Sequence, residues 1–291
     1  SHDARGSLRG GGGARRPAAG RPRRLRRPVA SFSVLDVEEA AFRAWPAEEV
    51  VELSGWRLRF THGVTRRANS VWPNGLEDAL SLEERLVAVE AFSEKRGIAP
   101  SFQLTSVARP SELDAVLAAR GYSVDAPVVV QTLELGSMPP VPDVSRAEAA
   151  VSSHPDAEWL SVQVDRGRYA TVRGVFLGIL ERLGARAGFA RVRSGGECVA
   201  VGLGVVDGPW LGIFAMLTVP EARRRGAGKA VLHALTAWGS ERGAERAYLQ
   251  VERDNAPALS LYAACGFTPA YEYHYRTQFT KTELSPSRRT T

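Results

Sequence analysis

Three arginines and a lysine surround two glycines in residues 219–230, VPEARRRGAGKA. The segment before them, 210–218, is apolar and typical of a strand, and the segment after them repeats apolar residues at the spacing of one helix face. The glycines therefore lie where a strand turns into a helix. Because the first N–H groups of a helix carry partial positive charge and have no intrahelical acceptor, this junction indicates a binding site for an anion, usually a phosphate.

The residues at three positions exclude two common phosphate-binding loops. A Walker-type loop needs a glycine where Arg223 stands and a Ser or Thr where Ala230 stands. A dinucleotide-binding fingerprint needs a third glycine at the position of Val231. The pattern that is left is Arg-x-x-Gly-x-Gly over residues 223–228, between a strand and a helix.

This pattern resembles the pyrophosphate loop of the GNAT superfamily of acyl-CoA N-acyltransferases. The downstream segment 248–267, YLQVERDNAPALSLYAACGF, is similar to that family's closing strand, its asparagine, and a helix ending in Leu-Tyr-x-x-x-Gly-Phe. The resemblance implies acetyl-CoA as the cosubstrate and no metal. It also implies direct attack of an amine on the thioester, with both substrates bound at once.

Coenzyme A suits a loop of this composition. Its pyrophosphate needs several donors at once, and the backbone N–H groups of residues 224–229 can supply them where glycines leave the main chain uncovered. By the resemblance, strand 210–219 separates at its end from strand 246–252, and backbone groups there bind the pantetheine. The residues implied to bind the cosubstrate are Leu217, Thr218, Val219, Arg223, Arg224, Arg225, Gly226, Ala227, Gly228, Lys229, Asn255 and Tyr262.

Catalytic roles follow from the same resemblance. Tyr262 matches the tyrosine that gives a proton to the departing thiolate, which a phenol can do, although simple packing under the sheet also explains an aromatic there. Asn255 matches an asparagine that steadies the cofactor and suits a helix N-cap equally. The loop-proximal strand contains no carboxylate to act as the base. Glu252 is the nearest candidate, and His274, a chain of waters or a neutral amine are alternatives.

The chain also contains an internal repeat. Residues 92–122 and 238–267 both run from an aromatic residue through Arg-Gly, a short strand and a proline-opened helix to Gly-aromatic. The order and spacing together favour a duplication. The whole chain thus resembles two-half GNAT proteins, common in actinobacteria, in which one copy is degenerate.

Strands and helices are predicted to alternate, which gives an α/β fold with a mixed, partly parallel, duplicated sheet flanked by helices. Helices are predicted at 37–47, 81–96, 111–120, 169–185 (one or two), from the glycine turn to 243, and at 257–265. Strands are predicted at 50–60, 64–72, 101–105, 128–135, near 190, and at 198–206, 210–219, 246–252 and 271–277. The predicted organisation is a basic disordered tail (1–30), a degenerate first domain (31–137), a linker (138–150), a catalytic domain (151–282) and a disordered tail (283–291).

The first half lacks the phosphate loop. At the corresponding place it has acidic residues that repel a phosphate: Glu77, Asp78, Glu83 and Glu84. We expect this half to form one wall of the acceptor cleft, although a purely structural sheet is an equal alternative. The polar and aromatic groups offered for that wall are Trp56, Arg57, Arg59, Arg66, Arg67, Asn69 and Trp72.

Composition limits the partners and the compartment. Residues 1–30 hold nine arginines and one aspartate, so the formal charge of +6 comes from this tail and the remainder carries −2. The tail touches nucleic acid at most weakly, and a dispensable extension explains it better. The two cysteines match no disulfide or metal spacing. Without an apolar run long enough for a membrane or a secretory signal, a cytoplasmic location and no membrane partner are expected.

The combined prediction is an N-acetyltransferase with one working site, in the second half, which moves an acetyl group from acetyl-CoA to a primary amine. The acceptor is either a small molecule or a protein lysine or N-terminus. A non-catalytic acyl-CoA sensor or scaffold is the first alternative, and the absence of a carboxylate on strand 210–219 favours it slightly. A chromosome-associated acetylase whose tail docks on DNA is the second.

Overall fold

The computed structural model describes residues 31–75, 77, 79–140, 148–165, 167 and 169–279. Within these residues the chain forms seven α-helices and eleven β-strands. In chain order they are α1 Val34–Ala44, β1 Glu49–Leu53, β2 Trp56–Phe60, β3 Val71–Trp72, α2 Leu82–Lys95, β4 Ser101–Leu104, α3 Leu113–Ala119, β5 Ser123–Glu134, β6 Glu148–Ser152, α4 Ala157–Leu160, α5 Arg173–Glu181, β7 Ala187–Ser194, β8 Glu197–Asp207, β9 Trp210–Thr218, α6 Ala227–Glu241, β10 Arg246–Glu252, α7 Ala256–Ala264 and β11 Thr268–Thr277.

All eleven strands join one sheet in the order β1-β2-β3-β4-β11-β5-β10-β9-β8-β7-β6. The pairs β3–β4 and β9–β10 are parallel, and the other neighbours are antiparallel. The predicted α/β class with a mixed, partly parallel sheet is therefore confirmed. The described residues from Ser33 onward form one compact unit.

The centre of the sheet is built by strand exchange between the two halves of the chain. The first half's last strand, β5, pairs with β10 of the second half, and the second half's last strand, β11, pairs with β4 of the first. The two exchanged strands also pair with each other. Two sets of three neighbouring strands, β3-β4-β11 and β9-β10-β5, thus have the same arrangement: one parallel pair followed by one antiparallel pair. This arrangement agrees with the predicted duplication.

The two faces of the sheet carry different side chains because neighbouring residues of a strand point to opposite sides. On β10, Leu249 and Val251 join the apolar core beneath α6 and α7, while Gln250 between them lies on the other face. On β4, Phe102 and Leu104 join the core beneath α2 and α3, while Gln103 lies on the side of α1. The α1 face is therefore partly polar at its centre.

Segments with strong local signals fold as predicted. Helix α2 begins after Ser81, whose hydroxyl accepts from the Glu84 N–H while the Glu84 carboxylate accepts from the Ser81 N–H, a reciprocal cap that fixes the start of a helix. Strand β10 has the predicted bounds. Helices α6 and α7 lie within a residue or two of their predicted ends.

The strand predicted over residues 64–72 is wrong, because only Val71 and Trp72 are extended. Thr65 has a φ of 64°, and a 3-10 turn follows at Arg66–Ala68. The buried Asn69 side chain bonds five backbone groups of residues 61–65 and thereby fixes this turn. Strand β6 and the short helix α4 were not predicted.

Several predicted segments lie outside the described residues. These are the basic tail 1–30, the C-terminal tail 283–291, residues 141–147 of the predicted linker, and Asp78 among the first-half carboxylates. Strand β6 begins at Glu148, within the range assigned to the linker. The division into two domains stays a prediction.

Candidate active site at the start of helix α6

Helix α6 begins without a side-chain cap. Its N-cap is Gly226, in the left-handed region at φ 84°, and no side chain bonds the first turn. By contrast, side chains of Ser33, Ser81 and Asn255 cap α1, α2 and α7. The N–H groups of Ala227, Gly228 and Lys229 precede the first intrahelical bond, from the Ala230 N–H to the Gly226 carbonyl. These uncapped donors can hold an anion.

Gly228 has a packing role that the sequence did not indicate. A Cβ there would lie 3.1 Å from Leu261 Cδ2 on α7 and 3.6 Å from Thr218 Oγ1 on β9. The missing side chain therefore lets α6 approach α7 and β9 closely. This contact brings the three elements that carry the predicted site together.

The predicted separation of β9 and β10 is confirmed. Their parallel pairing ends at Ile213 and Leu249, although β9 continues to Thr218 and β10 to Glu252. A bulge bends β9 at this point, where Ala215 has a φ of 49° and the register to β8 shifts by one residue. The open gap leaves backbone groups of β9 without a neighbouring strand.

Thr218 is the residue of this strand end whose backbone faces the gap. The Val219 N–H donates to the Val199 carbonyl of the β8 segment, and the Val219 carbonyl accepts from the Ala222 N–H. Backbone groups of alternate residues face the same neighbour, so Leu217 also faces β8. Of the three residues expected to bond the cosubstrate, Leu217, Thr218 and Val219, only Thr218 has backbone groups that face the gap. Its carbonyl also accepts weakly from Arg223 Nε at 3.4 Å.

The turn carries a concentrated positive charge. Arg223, Arg224 and Arg225 are exposed, Arg224 has a φ of 62°, and Lys229 is half-buried. No carboxylate among the described residues forms an ion pair with any of the four. Burial, and then Lys229, lower the pKa of His233 one helical turn away. The turn is thus prepared for a polyanion such as a diphosphate.

Helix α7 holds the other predicted groups. Asn255 caps it, because its Oδ1 accepts from the Ala258 N–H at 3.2 Å. Tyr262 is 8% exposed, contacts Phe267 edge-on at 6.0 Å between ring centroids, and has no hydrogen-bond partner for its hydroxyl among the described residues. Burial raises the pKa of Tyr262 to about 12, so the phenol is protonated at every physiological pH.

The two base candidates lie in different places. Glu252 ends β10 beside the gap and is exposed, with Arg66 Nη1 at 3.3 Å from its Oε1. His274 on β11 bonds Asp114 of α3 at 3.0 Å, and β5 and β10 separate its strand from β9. The structure therefore brings Glu252, and not His274, to the edge of the gap.

The first half reaches this gap through its 3-10 turn. Arg66 bonds Asp125 and Glu252, and Arg67 bonds Gln250 of β10 at 2.8 Å. Other residues offered for the wall have structural roles. Trp56 is fully buried and donates to the Arg109 carbonyl, Asn69 fixes the turn, and Arg57 pairs with Glu39 and Glu52.

Sequence reasoning missed a polar pocket on the α1 face of the sheet. It is lined by Glu38, Ala41, Phe42, Arg59, Arg67, Trp72, Gln103 and Gln250. Glu38 is 1% exposed and accepts from Tyr271 Oη at 2.6 Å, Gln103 Nε2 at 2.9 Å and Trp72 Nε1 at 3.3 Å. The available signal was a glutamate on the apolar stripe of α1, one turn before Ala41 and Phe42.

Burial controls the charges in this pocket. It raises the pKa of Glu38 and lowers that of Arg59 to about 10. Arg59 is held by the Ser70 carbonyl and hydroxyl and by Gln103 Oε1 at 2.8 Å. Gln103 therefore connects the two charged groups, donating to Glu38 and accepting from Arg59.

Glu38→Gln is expected to remove a pH dependence of stability. The folded-state pKa of Glu38 lies above its ordinary value of 4.5, so the folded chain binds more protons between the two values. The stability that the carboxyl group contributes is complete below pH 4.5 and is lost as the pH rises through the folded-state pKa. Relative to the variant, wild type should lose up to about 1.4 kcal/mol of unfolding free energy per pH unit in that window.

Urea unfolding between pH 4 and 9 measures this difference. Glu94→Gln on the exposed side of α2 is the control for removal of a surface carboxylate. A difference between wild type and Glu38→Gln that is constant over the whole range would contradict the raised pKa.

The fold is that of a GNAT acyltransferase, and comparison with known proteins agrees. The family model described as "Probable histone acetyltransferase Rv0428c C-terminal" matches residues 33–276. The chain belongs to this family of GNAT N-acetyltransferases, and it is an acyltransferase.

Two curated relatives cover most of the chain. "Uncharacterized N-acetyltransferase YobR" of Bacillus subtilis is 32% identical over 82% of this chain and 96% of its own length. "Probable histone acetyltransferase Rv0428c" of Mycobacterium tuberculosis is 28% identical over 84% of this chain and 76% of its own length.

Solved structures share the fold. A GCN5-related N-acetyltransferase from Kribbella flavida has a TM-score of 0.59 at 16% identity and covers 82% of this chain and 91% of its own. A tandem GNAT protein from the clavulanic acid biosynthesis pathway has a TM-score of 0.53 at 18% identity and covers 67% of this chain and 69% of its own.

The described residues lack two features that would point to other functions. They contain no group of three or more His, Cys, Asp or Glu side chains that could hold a metal ion. In the same part of the chain, every helix is too short or too polar to cross a membrane. Both cysteines are free thiols, and burial raises the pKa of each.

Proposed function

We propose that the protein transfers an acetyl group from acetyl-CoA to a primary amine by direct attack, with both substrates bound together. The observation that supports this most is the uncapped start of α6 beside the open gap between β9 and β10. A diphosphate fits the uncapped start of α6, and an extended chain that carries amide groups fits the gap between the strands. The acetyl end then lies toward the point where the strands meet, at Ile213 and Leu249.

In this proposal the loop binds the cosubstrate through the N–H groups of Ala227, Gly228 and Lys229. The side chains of Arg223, Arg224, Arg225 and Lys229 add charge, and the Thr218 backbone bonds the pantetheine. The start of α7, at Asn255, is the remaining proposed contact. Because the amides and the helix dipole are fixed in place by the fold, binding needs little reorganisation.

The amine nitrogen attacks the thioester carbon, so a C–N bond forms and the C–S bond breaks. Glu252 takes the proton that the amine nitrogen loses, directly or through water. Tyr262 gives its phenol proton to the departing thiolate, which suits a buried group with a pKa near 12. The catalytic groups are all in the second half, and the first half is its degenerate copy.

The acceptor has two general classes to choose between. The Mycobacterium tuberculosis relative is described as a probable histone acetyltransferase, and a protein lysine is one class. Small amines are the other. A weak approach to nucleic acid through the basic tail 1–30 would assist the first class only.

Thiol release from acetyl-CoA with a panel of amines tests the proposal. Amines that are acetylated should release thiol in proportion to the N-acetyl product, as measured by mass spectrometry. Binding of acetyl-CoA without thiol release from any amine would reject the transferase and favour a sensor or scaffold.

A further inference from the structure

Arg67 is a cation without a counter-charge. Its Nη1 donates to Gln250 Oε1 at 2.8 Å, and its guanidinium lies over the rings of Trp45 at 5.1 Å and Phe214 at 5.4 Å. No carboxylate of the described residues forms an ion pair with it. Its Nε is buried and has no hydrogen-bond partner. A buried N–H donor that lacks an acceptor is costly, and an anion can supply the acceptor.

A second unused donor lies beside it. Gln250 accepts from Arg67 through Oε1, and its Nε2 is buried without a partner. Both unused groups are N–H donors, so the group that completes them must be an acceptor of hydrogen bonds. A carboxylate has two oxygens in one plane and can accept from two donors at once.

Two further ionisable groups line the pocket. Glu38 and Arg59 are both buried and are joined through Gln103. Because burial raises the pKa of Glu38, this carboxyl group offsets at most the charge of Arg59, and the pocket keeps at least the one positive charge of Arg67. Such a pocket attracts an anion and repels a second cation.

The pocket lies where the transferred acetyl group is expected. Gln250 follows Leu249, the last β10 residue paired with β9, and Phe214 follows Ile213, the last β9 residue paired with β10. Arg67 contacts both Gln250 and Phe214. A molecule held by Arg67 is thus placed beside the opening of the gap.

We propose that Arg67 and Gln250 bind the carboxylate of the amine acceptor, which makes the acceptor a free amino acid or a similarly small amine that carries a carboxylate. This inference rests on the proposed function, because it assumes that an amine is acetylated. It disfavours polyamines, which Arg67 repels. It also disfavours an internal lysine of a protein, which offers no carboxylate at this position.

Matched pairs of amines test the proposal. Initial rates of thiol release are compared for phenylalanine and phenethylamine, for leucine and 3-methylbutylamine, and for lysine and cadaverine. A peptide with blocked ends and one internal lysine is added. The carboxylate member of each pair should have a kcat/KM roughly tenfold to a hundredfold higher, because charge-assisted hydrogen bonds are lost with the carboxylate.

Variants assign the preference to Arg67. Arg67→Met keeps the length of the side chain and should bring the kcat/KM values of the two members of each pair close together, because the carboxylate member loses more than the decarboxylated amine. Gln250→Glu places a carboxylate against Arg67 and should give the same loss without removing the guanidinium. Arg120→Met removes a half-buried guanidinium that pairs with Glu83 in the first half and should leave the preference unchanged. Thermal unfolding of each variant checks that it folds.

Three outcomes would overturn the proposal. The wild-type protein could prefer cadaverine or the blocked peptide. Arg67→Met could slow both members of every pair equally, which would place Arg67 at the thioester instead. If acetyl-CoA binds and no amine is acetylated, the proposed acetyl transfer is rejected but the carboxylate site is not yet tested. Thermal unfolding in the presence of coenzyme A and each amine then tests that site. Stabilisation by phenylalanine but not phenethylamine would support the site, and stabilisation by neither would reject it.

Discussion

Gly226→Asp is expected to weaken acetyl-CoA binding about a hundredfold, or about 2.8 kcal/mol. Gly226 is the N-cap of α6 at φ 84°, and a carboxylate there would face the phosphates across the uncapped N–H groups. Two unit charges 4 Å apart interact by about 4 kcal/mol at an effective dielectric constant of about 20, and partial exposure of the turn reduces this. Isothermal titration calorimetry with acetyl-CoA measures the loss.

Gly226→Asn is the matched control for this change. Asn and Asp both tolerate positive φ and have the same shape, so the difference between the two variants reports charge alone. We expect Asn to lose no more than about tenfold in affinity, and we expect the Asp penalty to shrink in 1 M salt. Equal affinities of the two variants for acetyl-CoA would show that its phosphates do not bind at this turn.

Tyr262→Phe is expected to lower kcat about a hundredfold and to change the Kd for acetyl-CoA little. General acid catalysis contributes roughly 10²–10⁴-fold, whereas the ring contact to Phe267 is kept. Because burial raises the pKa of Tyr262 to about 12, the phenol is protonated from pH 6 to 10. The rate loss should therefore be independent of pH over that range, as steady-state kinetics with the best amine would report.

Tyr122→Phe is the control for the loss of a buried hydroxyl group. Tyr122 lies in the first-half core and donates to Glu90 at 3.2 Å, far along the sheet from the gap. This variant should keep the wild-type kcat. A Tyr262→Phe protein with the full rate at every pH would show that the tyrosine only packs.

The parts of the site that were predicted from sequence are contiguous in the chain. The turn 223–229 is recognised by the spacing of its glycines, and the segment 248–267 by the spacing of its asparagine and tyrosine. Recognising either segment therefore needs no knowledge of the fold. Even there, the direction of backbone groups depended on strand pairing. The Val219 N–H donates to the Val199 carbonyl, and no residue type in the sequence indicates this hydrogen bond.

The pocket on the α1 face could not be predicted in this way. Its residues come from α1, β2, the 3-10 turn, β3, β4 and β10, and each is ordinary in its own segment. Residues 64–72 show the same limit, because a buried side chain, Asn69, overrides an extended pattern by bonding backbone groups around it. Strand partners are likewise set by the whole sheet, since alternation tells which face is buried and not which strand lies alongside.

The exchange of β5 and β11 makes the order of biosynthesis matter. Strand β4 is complete by residue 104, but its antiparallel partner β11 spans 268–277 and is synthesised much later. During translation the edge of β4 therefore has no partner strand until β11 is made, and such an unpaired edge is prone to wrong pairing. A chain shortened before Thr268 would keep the β5–β10 pairing but would lose β11, the strand that joins β4 of the first half to the rest of the sheet.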